Sequence, residues 1–212
     1  MDGQIPEPVW LQELRTALRD PNIDSDSIRL ILSGNPIPVD IRISIWLILL
    51  GVKGRSNTFD EQNWKIKNST FGTLERATRR LGSKQHVGQK IIGFYLNSKD
   101  EKFEDDTLVD TLEALLYYEI EQFEIYNLFY SINQKYKPKC SNLVVESVLD
   151  LLVQFFDPLL SRFIKCRRRT VISRAVGWIQ SLFRNCLNRA VADPLWDIIF
   201  QSGDHLLPVW IR

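Results

Sequence analysis

Cysteine is scarce in this sequence. The three present, Cys140, Cys166 and Cys186, are an odd number, lie far apart and form no Cys-x-x-Cys pair. That pattern argues against a disulfide framework or a zinc ribbon and suits a reducing compartment. Histidine is scarcer still: His86 and His205 have no His, Cys or acidic neighbour at a metal-ligand spacing, so neither a metal nor another cofactor is expected. There is no G-x-x-x-x-G-K-S/T loop and no G-x-S-x-G elbow, which removes nucleotide hydrolysis by the chain itself and the usual serine nucleophile. Long apolar runs are missing too. The longest, Ile43–Val52, is interrupted by Ser44 and is about half a membrane span. Met1–Pro8 is polar and proline-containing, unlike a secretory signal. The expectation is a cytoplasmic chain, recruited to a membrane through another protein and without direct membrane insertion. Nor does one sign of charge dominate: 27 Lys and Arg against 26 Asp and Glu leave +1, no field to steer the chain toward nucleic acid, which is not an expected partner.

What is present is ordinary for a folded chain of 212 residues, with 44% apolar and 25% charged residues, enough to build a core without staples. Apolar residues recur at three and four, as in Trp10, Leu11, Leu14, Leu18 and in Leu108, Leu112, Leu115, Leu116. This is the amphipathic-helix period, and strand-like alternation is rare. Asp24 to Ser27 offer N-caps, Gly34 a stop, and Pro36 and Pro38 lead into the next helix. Thr58 to Glu61 fits a capping box. Helices are predicted over Phe71–Leu81, Val87–Leu96, Thr107–Tyr118, Phe123–Lys135, Asn142–Phe156, Pro158–Lys165, Thr170–Leu187 and Asp193–Gln201, for about eleven in all. Asn97–Asp106 and Lys135–Asn142 break the rhythm as loops. The expected organisation is a tail over residues 1–9 and one all-α domain over 10–212, with residues 136–142 as the place where two helical lobes would meet.

One cluster is more specific. Ile41 to Gly51 (IRISIWLILLG) places Arg42 four residues before Trp46 and ends in Leu-Leu-Gly51. By themselves these residues describe a buried helix with a snorkelling arginine and a packed tryptophan. Trp178-Ile-Gln-Ser-Leu-Phe183 and Leu195-Trp196-Asp197, followed by Gly203, come later in the chain. In that order the three segments resemble the TBC domain, the Rab GTPase-activating fold, with its Arg-x-x-x-Trp, Trp-x-x-x-Leu-Phe and Trp-Asp helices. Ile31–Asp40, Asn127–Lys137 and Leu152–Pro158 are similar to an adaptor branch of that family. The resemblance covers roughly residues 10–212. It implies a multi-helix fold, a core that buries Trp46, Trp178 and Trp196, and a domain that runs past Arg212 into another apolar helix. It also implies a non-catalytic role, the capture of endosome-derived vesicles at the trans-Golgi network through golgin coiled coils.

The catalytic question turns on two fingers. Active members of the family supply an arginine from Ile-x-x-Asp-x-x-Arg, which neutralises charge on the transferring phosphoryl group, and a glutamine from Tyr-x-Gln, which orients water. Counted from Glu61-Gln62-Asn63, the arginine motif falls on Lys65, Asn68 and Phe71, and the glutamine motif on Phe103-Glu104-Asp105. Phe71 carries no charge and Asp105 carries the wrong sign, so no enzymatic activity is expected. The rival reading is an active Rab GTPase activator using Arg80, which lies in the frame Leu74-x-x-Ala-x-x-Arg80. The densest basic cluster is Lys165, Arg167, Arg168, Arg169 and Arg174. It reads either as a solvated corner between helices or as a patch for an acidic partner.

Overall fold

The computed structural model describes residues 7–57, 59, 68–104, 106–164 and 168–203. It is all-α: the described residues form eleven α-helices and one 3-10 segment, with no strand. The helices are α1 (Val9–Ala17), α2 (Ser25–Leu32), α3 (Arg42–Leu49), α4 (Asn68–Thr78), α5 (Gln85–Lys99), α6 (Thr107–Leu116), α7 (Gln122–Tyr136), α8 (Asn142–Phe156), α9 (Pro158–Phe163), α10 (Arg168–Gln180) and α11 (Arg189–Gln201).

Local chemistry explains several of these boundaries. The Asp24 carboxylate accepts from the Ser27 amide to open α2, Asp157 accepts from the Leu160 amide to open α9 with Pro158 at its first position, and Asn188 accepts from the Val191 amide to open α11. Glu121 and Glu124 form a reciprocal capping box on α7. The Thr58–Glu61 capping pattern lies outside the described residues, apart from Phe59. Gly51 ends α3 in the left-handed region at φ +65°. There the Val52 amide donates to the Leu47 carbonyl at 2.7 Å and the Gly51 amide to Ile48 at 2.9 Å, the paired bonds of a Schellman stop. A side chain at position 51 would find space but not a comfortable backbone.

Most boundaries shift by up to three residues from the sequence reading, and α5 runs to Lys99, into the expected Asn97–Asp106 loop; two depart further. Helix α10 stops at Gln180 rather than running to Leu187, because Leu182 (φ 49°) and Phe183 (φ 65°) turn left-handed and the Phe183 amide donates back to the Trp178 carbonyl. Leucine at such a position is strained, and no glycine marks the stop in the sequence. Its burial holds it there. Helix α11 begins at Arg189, four residues before the predicted start, so Pro194 falls inside it. The proline ring lies on the exposed side, away from the core.

The core gathers α1 to α7 with α11. Trp46, Trp196, Phe129 and Phe200 are its largest wholly enclosed side chains, backed by Ile91, Ile92, Leu112, Leu115 and Leu128 from α5 to α7. Each such side chain contributes roughly 1.5–3 kcal/mol by leaving water. Helices α8, α9 and α10 pack mainly on one another, and their buried Val145, Ile172 and Val176 stand apart from the main core.

Candidate functional site

Asp197 is the point where two helices far apart in the chain, α3 and α11, meet. Arg42 and Trp46 are one turn apart on α3 and therefore share a face. Arg42 Nε donates to both Asp197 carboxylate oxygens at 3.1 and 3.0 Å, and Trp46 Nε1 donates to Oδ1 at 2.8 Å. All three side chains are buried. The Trp46 ring meets Trp196, Phe200 and Tyr118 at centroid distances of 5.4 to 5.5 Å, edge-on to the last two.

A second buried acid, Asp193, lies one turn earlier on α11. It pairs with Arg184 at 2.6 Å, Arg189 at 2.9 Å and, more loosely, Arg42 at 3.8 Å, and it accepts from the Tyr118 hydroxyl at 3.3 Å. Three arginines thus share two carboxylates. The surplus charge meets aromatic faces: the Arg184 guanidinium stacks 3.8 Å from the centre of the Trp196 ring and Arg189 3.0 Å from that of Tyr117. The Trp196 indole N–H donates to the Leu182 carbonyl, which fixes the left-handed turn described above.

The two acids respond oppositely to this setting. Burial pushes both up, but the hydrogen bond from Arg189 and the charge of Arg184 overcome it at Asp193, leaving that group below the ordinary carboxylate range. At Asp197 burial prevails over Arg42 and Trp46, and the group is raised. Burial likewise lowers Arg184 despite Asp193. The cluster joins α3 and α11 with the segments that follow α6 and α10, and it leaves Arg184 Nε and Nη2 and Arg189 Nη1 buried without a hydrogen-bond partner.

Arg42, Trp46, Trp196 and Asp197, predicted as structural residues, are therefore brought together, and Gly51 ends the helix that carries two of them. Trp178 is not. It is 39% exposed on α10, contrary to the expectation of a three-tryptophan core. Helix α10 packs through Ile172 and Val176, and Trp178, two residues on, is turned about 200° from Val176 at 3.6 residues per turn. Sequence reasoning missed Asp193, Arg184 and Arg189. The available signal was the pair Asp193 and Asp197, two acids one turn apart in an apolar helix, which must find cations when that face is buried.

Phe71 lies half-buried in the first turns of α4, while Asp105 and Lys65 lie outside the described residues. Arg80 is committed to α6, at 2.6 Å from Asp110 and 3.6 Å from Glu113. Of the basic cluster, Lys165 and Arg167 lie outside the described residues, as do the side chains of Arg168 and Arg169 at the start of α10, and Arg174 is exposed. Two concavities of about 430 and 360 Å³ flank Arg29, which bonds the Gln201 carbonyl and Asp26 between them. No protein-family model matches the chain.

Proposed function

We propose that this chain is a non-catalytic TBC-like binding module, an adaptor that links endosome-derived vesicles to golgin coiled coils at the trans-Golgi network. The observation that supports the TBC reading is the bonding of Arg42 and Trp46 to Asp197, across 155 and 151 residues. Residues of two separate motif segments share one carboxylate, as parts of a common framework would. Phe71 offers no positive charge for a phosphoryl group, and Arg80 is held by two acids of its own chain. Both facts favour an adaptor over a Rab GTPase activator.

The test runs in two arms on the purified chain. One measures retention of golgins from a Golgi lysate, and the other measures GTP hydrolysis by a panel of Rab GTPases. Golgin retention without acceleration is expected. An increase of about 10³-fold or more, abolished by Arg80→Ala, would establish the activator instead.

A further inference from the structure

The break between α4 and α5 holds a serine with two arginines ahead of it. Here the chain forms the 3-10 segment Arg79–Lys84, none of whose six residues is buried. Gly82, at φ 58° and ψ −123°, has the glycine-favoured dihedrals of a type II′ turn. Ser83 follows it, exposed, its hydroxyl in no hydrogen bond among the described residues. Arg80 and Arg79 stand three and four positions before this serine. Arg79 is exposed and pairs with no acid among the described residues, while Arg80 keeps 39% of its side chain exposed beside Asp110 and Glu113.

The surroundings of Ser83 are basic. Residues 76–90 contain Arg76, Arg79, Arg80, Lys84 and Lys90 and no Asp or Glu, although the whole chain carries only +1. Helix α5 begins two residues after Ser83 with no side-chain cap and no acid in its first turn, so the positive end of its dipole meets no negative charge of its own. Helix α7, by contrast, closes the same end with Glu121 and Glu124. A negative group at residue 83 would serve both the helix end and the basic side chains around it. An exposed turn with no buried residue also extends at little cost into the cleft of a protein kinase, and kinases that select basic sequences read upstream arginines through paired charge.

We propose that Ser83 is a phosphorylation site for a Ser/Thr kinase that selects basic sequences, and that its phosphate closes the N-terminus of α5. The Ser83 Oγ attacks the γ-phosphorus of ATP, the bond to the β-phosphate oxygen breaks, ADP leaves and the hydroxyl proton passes to the kinase's catalytic aspartate. The product sets a charge of about −2 one residue before Lys84, the N-cap of α5. This inference is independent of the adaptor reading.

Incubation of the folded full chain with MgATP and calmodulin-dependent protein kinase, which selects an arginine at the spacing of Arg80 from Ser83, followed by tandem mass spectrometry, tests it. A phosphate on Ser83 is expected, absent from Ser83→Ala and acquired about tenfold more slowly by Arg79→Ala with Arg80→Ala. The phosphorylated chain should melt about 1–4 °C above the unmodified one, a gain that shrinks as NaCl rises. Thr58 and Thr170 also follow an arginine at that spacing, and phosphate on either of them but not on Ser83 overturns the proposal. So does phosphate that reaches Ser83 only after urea has unfolded the chain. A melting temperature unchanged or lowered by phosphate on Ser83 overturns the closing of α5. Circular dichroism checks the folding of each variant, and if the arginine pair unfolds, the comparison of wild type with Ser83→Ala decides.

Discussion

Four interactions converge on Trp46: three ring contacts and the hydrogen bond to Asp197. Trp46→Ala should cost about 3–5 kcal/mol, and Trp46→Phe, which keeps most of the packing and removes the N–H, about 1–3 kcal/mol, both read from urea denaturation. Asp193→Asn makes a sharper test because its effect depends on pH. The folded protein holds this carboxyl below its ordinary value, so its contribution is complete above about pH 4 and is lost as pH falls through the lowered value. The variant should be roughly 3–5 kcal/mol less stable than wild type at pH 7. The difference should shrink steadily in acid. Asp197 runs the other way: its raised value means that its protonated form is favoured on folding, so stability from this group is present at low pH and declines as pH rises through the raised value. A deficit in Asp193→Asn that stays constant down to pH 2.5 would show that the carboxylate's charge has no part in the pairing.

At the scale of the element, the two left-handed stops make opposite demands. Gly51→Ala meets no atom closer than 3.8 Å, so its cost is conformational alone, about 1–2 kcal/mol. At Leu182 a glycine would relieve a strain of similar size but remove a buried side chain worth about 2–5 kcal/mol. Leu182→Gly should therefore lower stability by roughly 1–3 kcal/mol, and a higher melting temperature would contradict that balance. The same contrast explains what the sequence made legible. The α3 stop was readable because Gly51 is the residue such a turn prefers, and α5 to α8 were readable from the three-and-four rhythm of their apolar residues. The α10 stop was not, since Leu182 continues that rhythm, and its burial and the hydrogen bond that its carbonyl accepts from Trp196, fourteen residues on, hold the turn. Trp178 failed for a related reason: spacing places a tryptophan on a helix face without saying which face its neighbours will cover. Arg42 and Asp197 were each singled out in the sequence, but their pairing was not legible, because no local pattern links residues so far apart.

For the whole molecule, the main core is closed by α11 against α3, while α8 to α10 form a smaller cluster beside it. That division separates two kinds of prediction. Changes at Trp46 or Asp193 should reduce global stability, whereas Phe155→Ser with Phe163→Ser, at side chains 78% and 88% exposed, should leave the melt unchanged. The Arg42–Asp197 bond also has a meaning in time. A ribosome adds about 5–20 residues per second, so Asp197 is made roughly 8–30 s after Arg42, from which it is separated by 155 positions. Throughout that interval α3 has neither its carboxylate nor the aromatic rings of α11. The nascent chain must wait, with an arginine and a tryptophan made for burial still in water, and a chaperone that shields α3 during synthesis would act before the protein has any function to perform.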